Sequence, residues 1–155
     1  MITLRRAAAS DSPLIRRLIY AERLNPLGLN WRRFWLAVDE HGRVIGCGQV
    51  KPHGDGSREL ASIVVLPEWR NRGVASAIIR RLLTENPPPL YLTCRAELTP
   101  FYARFGFEVA ENPAELPAYF RRIIHLSRSL SHVFPPLARL RVMILRHTAT
   151  PKPQS

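Results

Sequence analysis

The stretch that decides the fold runs from Glu59 to Leu83 and reads ELASIVVLPEWRNRGVASAIIRRLL. Its first residues are strongly apolar and predict a buried strand that ends near Leu66. Pro67 to Arg72 predicts a loop. An amphipathic helix is expected from Gly73 to about Glu85, because apolar residues recur there every three or four positions. A strand, a tight glycine turn and a helix in direct succession are typical of sites that bind anions at the helix start.

The turn between this strand and this helix, residues 70–76, has the chemistry of a phosphate-binding loop. The first N–H groups of a helix have no intrahelical partner, and the helix dipole favours an anion beside them. Arg70 and Arg72 add positive charge, and Gly73 has no Cβ to keep a phosphate away. The chain has neither the GxxxxGKS/T loop nor the GxGxxG turn. These residues therefore predict a pyrophosphate cradle of another type. An ordinary surface turn with solvated arginines is the alternative.

The rest of the chain extends this unit into a larger α/β arrangement. Apolar periodicity and the Gly, Pro and Asn breakers predict the element order β-α-β-β-β-α-β-α-β-α-β. This order favours a central mixed sheet of six to seven strands with helices on both faces. We expect one domain over residues 1–147 and a disordered tail over residues 148–155, which are polar and contain proline.

The composition limits the class of protein. The 155 residues carry a formal charge of +11 and are 46% hydrophobic, which excludes a disordered polymer. No run approaches the roughly 18 apolar residues of a membrane span, and the first 20 residues lack the apolar core of a secretory signal. The two cysteines, Cys47 and Cys94, are too few for a disulfide framework or a cysteine-type zinc site. We therefore expect a cytoplasmic protein without a metal and without a membrane partner.

Two motifs resemble the signatures of the GCN5-related N-acetyltransferases, the GNAT family. Arg70 to Ala75, RNRGVA, is similar to the R/Q-x-x-G-x-G/A signature, and Ile63 to Pro67 is similar to the strand end before it. Phe101 to Phe107, FYARFGF, resembles the second signature, FYxxxGF. The resemblance covers about residues 2–110 and the last strand. It implies the GNAT-like acyl-CoA N-acyltransferase fold, with acetyl-CoA as the cofactor.

The resemblance also implies which residues form the site. The pantetheine arm of the cofactor would pair with the strand, and the cradle would hold the pyrophosphate. The cofactor-binding residues implied in this way are Ile63, Val64, Val65, Arg70, Asn71, Arg72, Gly73, Val74, Ala75 and Ser76. Tyr102 is implied as the acid that protonates the departing thiolate, and a packing aromatic is the alternative. Arg95 stands where many family members have a cofactor-binding asparagine, so that contact differs here.

Glu59 is the candidate general base. It stands 11 residues before Arg70, the spacing at which several family members carry their base. Alternation with period 2 predicts one strand face that consists of Glu59, Ala61, Ile63 and Val65. A carboxylate aligned with core residues is costly unless it is paired or lies near water. Pairing with a basic neighbour, Arg58 or His53, is therefore the alternative to a catalytic role.

The resemblance implies acetyl transfer to a primary amine, on a small molecule or a protein, and we expect it to proceed by direct attack in a ternary complex. Two alternatives keep the fold: an acyl-CoA-binding or sensing domain with little turnover, and a nucleic-acid-binding module. The second would use residues 116–155, which hold six Arg, one Lys and no acidic residue and would also attract an acidic partner. Arg32, Arg33 or Arg121 is expected to select an anionic acceptor. Monomer and homodimer both remain open.

Overall fold

The computed structural model describes residues 1–147, which form seven strands and four α-helices in the predicted order. The strands are β1 (Thr3–Arg6), β2 (Phe34–Val38), β3 (Val44–Pro52), β4 (Arg58–Val65), β5 (Leu90–Arg95), β6 (Glu108–Val109) and β7 (Leu140–Leu145). The helices are α1 (Ser12–Ala21), α2 (Val74–Glu85), α3 (Thr99–Ala103) and α4 (Ala118–Leu130). The predicted fold class is confirmed: it is an α/β fold with a mixed sheet of seven strands flanked by helices.

The chain divides into two compact units. The first comprises residues 1–53 and 58–86, and the second comprises, among the described residues, 54–57 and 87–147. The single domain expected over residues 1–147 stays a prediction, and the expected tail, residues 148–155, lies outside the described residues. No helix within residues 1–147 is long and apolar enough to cross a membrane.

The first unit is an antiparallel array of β1, β2, β3 and β4 with helices α1 and α2. Its apolar core on the α1 side consists mainly of Ile15, Leu18, Ile19, Phe34, Leu36, Cys47 and Val64. Two glycines allow α2 to pack closely on β3. A Cβ on Gly46 would lie 3.2 Å from Val74 Cγ1, and a Cβ on Gly48 would lie 2.8 Å from Ile78 Cγ2. This close packing fixes the helix whose N-terminus belongs to the cradle.

Strand β4 contains a bulge at Ser62. Cys47 of β3 lies opposite Val64, and Gln49 lies opposite Ala61. Two residue steps in β3 therefore match three steps in β4, so β4 holds one extra residue. Ser62 has a φ angle of 60°, in the left-handed region that residues other than glycine rarely adopt. The extra residue interrupts the regular ladder between the two strands.

This bulge overturns the alternation predicted along β4. Glu59 and Ala61 share a face as predicted, because their partners in β3 are also two residues apart. Beyond the bulge, Val64 lies on that same face. The predicted set is wrong for Ile63 and Val65, which lie on the opposite face together with Gly48 and Gly46 of β3. A bulge shifts every later side chain by one position, and a period-2 reading of the sequence assumes that no such shift occurs.

The second unit has β7 between β5 and β6, and β7 pairs antiparallel with both strands. Helix α4 packs on this unit through a core that consists of Leu116, Phe120, Ile124, Val142 and Ile144. Pro117 is the N-cap of α4, a position at which its missing N–H is not needed. Helix α3 carries Tyr102 and is five residues long.

Candidate functional site

The cradle is formed by main chain in an uncommon conformation. Asn71 and Gly73 have φ angles of 61° and 78°. Gly73 is the N-cap of α2, and its carbonyl accepts a hydrogen bond from the N–H of Ala77 at 3.0 Å. Within residues 1–147, no side chain caps this helix end. The N–H groups of residues 74–76 therefore form an uncapped helix N-terminus, which is an arrangement that binds anions.

Gly73 leaves space for a ligand at this helix end. A Cβ built on Gly73 would meet no heavy atom of the described residues within 4 Å. Asn71 and Arg72 are also exposed, whereas Val74 is only 1% exposed and packs into the core. Val74 can therefore contribute to a binding site only through its backbone. These observations fit an anionic group, such as a pyrophosphate, that is held mainly by amide groups.

Both arginines of the cradle are oriented by neighbouring groups. The guanidinium of Arg70 donates to the carboxylate of Glu22 at 2.8 Å and to the carbonyl of Val65 at 3.3 Å. The guanidinium of Arg72 lies 5.2 Å from the centroid of the Trp69 ring. The two cations thus flank the cradle, and Glu22 compensates part of the charge of Arg70.

The strand segment implied in cofactor binding follows the bulge directly. Val64 is 3% exposed and belongs to the core, whereas Ile63 and Val65 are half-buried. Val64 and Val65 pair again with Cys47 and Gly46 of β3, so the bulge leaves only Ser62 and Ile63 without a matched partner in that strand.

Glu59 lies in a buried cluster of charged side chains near the start of β4. Lys51 is its partner residue in β3. One carboxylate oxygen of Glu59, Oε2, lies 2.7 Å from His53 Nε2 and 4.0 Å from Lys51 Nζ. At most 11% of each of these three side chains is exposed. The contact with His53 matches the pairing that the sequence offers as an alternative, and the catalytic role of Glu59 stays a prediction.

Tyr102 lies in the second unit among other aromatic rings. Its ring centroid is 5.1 Å from that of Phe101 and 6.3 Å from that of Phe107, both in edge-to-face geometry. Burial, together with the charge of Cys94, raises the pKa of Tyr102 to about 12. Burial likewise raises the pKa of Cys94 to about 11. The phenol is therefore protonated at neutral pH, as an acid or hydrogen-bond donor requires.

Three residues near these groups are not predicted from the sequence as parts of the site. The one sequence feature that could have indicated Lys51 is its position as a charged residue at the end of an apolar strand. Ser62 gives no signal, because a serine in a strand does not reveal a bulge. Glu22 gives none either, since it contacts a residue 48 positions further along the chain. No group of three or more His, Cys, Asp or Glu side chains within residues 1–147 is arranged to hold a metal ion.

Comparison with known proteins shows the family. The model that describes the acetyltransferase (GNAT) domain matches residues 30–109, about half of the chain. This protein belongs to the GNAT acetyltransferase family. The amino-acid acetyltransferase of Mycobacterium tuberculosis is 32% identical, over 69% of this chain and 68% of its own length. The mycothiol acetyltransferase of Mycolicibacterium vanbaalenii is 34% identical over 50% of this chain, which spans only 25% of that relative.

Solved structures share the fold. Rv2747 from Mycobacterium tuberculosis, solved in complex with CoA, has a TM-score of 0.71 at 25% identity, and the match covers 94% of this chain and 99% of that one. N-acetylglutamate synthase from Neisseria gonorrhoeae, complexed with coenzyme A and N-acetyl-glutamate, has a TM-score of 0.70 at 18% identity. That match covers 96% of this chain and 36% of the synthase. The predicted family is confirmed, and acetyl-CoA, which GNAT enzymes use, is confirmed as the cofactor.

Proposed function

We propose that this protein transfers the acetyl group of acetyl-CoA to a primary amine by direct attack within a ternary complex. The observation that carries the proposal is the uncapped start of α2. There, a left-handed turn at Gly73 leaves N–H groups and open space beside two arginines. A site that holds the donor in one orientation lowers the barrier, because it replaces a bimolecular encounter by reaction between positioned groups.

The main chain would provide most of the contacts to the donor. The N–H groups of residues 74–76 would bind the pyrophosphate. The backbone of Ile63–Val65 would pair with the pantetheine arm in the manner of an added strand. One N–H of that segment would stabilise the thioester oxygen as it gains charge. The bulge at Ser62 supports this role, because it interrupts regular pairing with β3 just before the segment.

Glu59 is proposed as the group that takes the proton from the attacking amine. An alkyl amine with a pKa near 10.4 is neutral in only about one molecule in 2,500 at pH 7, so such an acceptor needs a base. Glu59 is a buried carboxylate, and its contact with His53 at 2.7 Å gives the proton a second group to which it can pass. General base assistance of this kind contributes about 10²–10⁴-fold to the rate.

Tyr102 is proposed as the group that assists the departing thiolate. A thiol has a pKa near 8.5, well below the pKa of about 12 of the buried phenol. Complete proton transfer from Tyr102 to the thiolate would therefore be unfavourable by the difference between these two pKa values, which is about 3.5. The phenol O–H would act mainly as a hydrogen-bond donor to the sulfur as its charge develops.

We propose the α-amine of an amino acid as the first acceptor class to test. The relative of 32% identity is an amino-acid acetyltransferase, and one solved neighbour holds N-acetyl-glutamate. Any one of the predicted anion-selecting residues, Arg32, Arg33 or Arg121, would suit a carboxylate on such an acceptor. Arg32 is oriented by Trp31, whose ring centroid lies 4.5 Å from its guanidinium carbon.

A thiol-release screen tests the proposed function. Acetyl-CoA is offered with amino acids, polyamines, antibiotics, and peptides that carry free N-termini or lysines, and free CoA thiol is measured. Thiol release that depends on one acceptor class supports the enzyme. If acetyl-CoA raises the melting temperature but no acceptor releases thiol, the sensing domain is the better description.

Polyanion binding is a second candidate property of the chain. All six arginines between residues 116 and 147 lie on a stretch without acidic residues, and Arg121, Arg122 and Arg128 are exposed on α4. Nucleic acid or an acidic protein would be attracted to such a surface. Binding of an RNA or DNA probe whose affinity falls steeply with salt supports this property, and affinity that is insensitive to salt contradicts it. The cytoplasmic location remains a prediction from the cysteine content.

A further inference from the structure

Gln49 is an amide side chain in the middle of β3 that is completely buried. It pairs with Phe34 on one side and Ala61 on the other, and it lies two residues from Cys47 on the apolar face. A primary amide in such surroundings is unfavourable unless hydrogen bonds replace its contacts with water. The presence of a buried amide at this position therefore needs a physical reason.

The hydrogen bonds of Gln49 connect it to the bulge. Its Nε2 donates to the hydroxyl oxygen of Ser62 at 2.9 Å. Its Oε1 is the one buried side-chain nitrogen or oxygen within residues 1–147 that has no hydrogen-bond partner. An apolar side chain of similar size would avoid this unpaired oxygen. The amide thus does not act mainly to stabilise the fold.

Ser62 is the residue that makes β4 irregular. Its φ angle of 60° is one that a serine adopts only when its surroundings hold it there. The contact with Gln49 provides such a restraint, because it fixes the serine side chain to the neighbouring strand. The segment Ile63–Val65 follows immediately, so the orientation of its backbone depends on how Ser62 is held.

We propose that Gln49 is a positioning residue that holds the bulge of β4 at Ser62 in the conformation that binds acetyl-CoA. The role rests on the proposed function, since it assumes that the backbone of Ile63–Val65 contacts the donor. Because Gln49 is completely buried, this role requires no contact between its side chain and the donor or the acceptor. Gln49 acts through the hydroxyl of Ser62 on the strand that would contact the donor.

The first test compares Gln49→Leu with Val50→Ala. Leucine keeps the volume and removes the amide, so we expect an unchanged or higher melting temperature and CoA affinity about tenfold weaker, measured by calorimetry. Val50 is 8% exposed in the same strand and pairs with Leu60. Val50→Ala should lower the melting temperature and leave CoA affinity within twofold of wild type. Equal CoA affinity of Gln49→Leu and wild type overturns the inference.

The second test uses Ser62→Gly, because glycine adopts a positive φ angle without strain. In this background the bulge no longer needs a restraint, so Gln49→Leu should weaken CoA binding by less than twofold. If Gln49→Leu still weakens CoA binding tenfold in the Ser62→Gly background, Gln49 does not act through Ser62.

Hydrogen exchange separates this inference from the proposed function. Without any ligand, Gln49→Leu should accelerate amide exchange in residues 62–65 at least fivefold while exchange in α2 is unchanged. Wild-type protein that binds no CoA overturns the proposed function, and faster exchange in the variant would still support the restraint on Ser62. Unchanged exchange in a protein that does bind CoA overturns the restraint.

Discussion

The cradle and the Glu59 cluster belong to the same compact unit, but they are built from different kinds of group. The cradle presents backbone N–H groups, and its conformation depends on positive φ angles at Asn71 and Gly73. The Glu59 cluster consists of side chains, and its geometry depends on contacts with His53 and Lys51. A backbone site should fail when the main chain is altered, whereas a side-chain cluster should fail when single polar atoms are replaced.

The largest effect is expected from Glu59→Gln. This change keeps the shape of the side chain and removes its ability to take a proton. We expect kcat with an alkyl amine acceptor to fall about 10²–10⁴-fold, with loss of the acid limb of the pH–rate profile. CoA affinity should stay within twofold of wild type, because the cradle is unaltered. A pH–rate profile with an unchanged acid limb removes Glu59 from the mechanism.

Gly73→Val should weaken CoA binding about 100-fold or more. A branched side chain disfavours the φ angle of 78° and fills the open space in front of the helix, so one or two charge-assisted hydrogen bonds of about 1.5–3 kcal/mol are lost. Gly42→Val is the matched control. Gly42 has a φ angle of 79° and, among the described residues, an added Cβ would also meet nothing within 4 Å.

Calorimetry with CoA distinguishes the two glycine variants. Both should lose similar stability from backbone strain, and only the cradle variant should lose affinity. If Gly73→Val and Gly42→Val bind CoA equally well, the cradle is not the pyrophosphate site.

Tyr102→Phe should lower kcat about 10- to 100-fold and leave KM for acetyl-CoA nearly unchanged. The phenylalanine keeps the ring contacts and removes one hydrogen bond to a developing charge. Steady-state kinetics measures both parameters. A variant with wild-type kcat assigns Tyr102 a packing role.

Alkaline unfolding provides a separate test of the Tyr102 environment. Its pKa is about 12 in the folded protein and about 10 in the unfolded chain, so the folded state binds the proton more tightly. The free energy of unfolding should therefore fall between pH 10 and pH 12, by up to about 3 kcal/mol from this group. Denaturant titrations over this pH range should show a smaller fall in the free energy of unfolding for Tyr102→Phe than for wild type. Equal falls for both proteins contradict the raised pKa.

The smallest effect is expected from Glu22→Gln. Removing this carboxylate leaves Arg70 without its ion pair and the cradle more positive. Because partly exposed pairs contribute about 0.2–1 kcal/mol, CoA affinity should rise by no more than about fivefold. Glu115→Gln is the control, since it breaks a pair with Arg146 of equal length, 2.8 Å, in the other unit. Weaker CoA binding by Glu22→Gln would contradict this expectation. It would show that Glu22 orients the Arg70 side chain for CoA rather than competing with CoA for the guanidinium.

The contrast between the two regions also explains what the sequence can predict. The cradle follows from local rules: an apolar strand, a proline, a glycine and an amphipathic helix leave few other conformations for residues 70–76. The ion-pair partner of Arg70 cannot be predicted from these local rules, because Glu22 is distant in sequence and comes near Arg70 only in the folded chain. The bulge at Ser62 is equally hidden, since the apolar pattern of β4 permits two registers and packing selects one.

Binding of CoA to the wild-type protein tests the central claim most directly. Isothermal titration at modest ionic strength compares CoA with pantetheine, which lacks the pyrophosphate and the 3′-phosphoadenosine, and the same comparison in Gly73→Val isolates the contribution of the cradle. We predict saturable binding of one CoA per chain, affinity that falls as salt is added, and binding of pantetheine at least tenfold weaker. Well-folded protein that takes up no CoA, or that binds pantetheine as tightly as CoA, would contradict the claim that main-chain amides at the start of α2 hold the pyrophosphate.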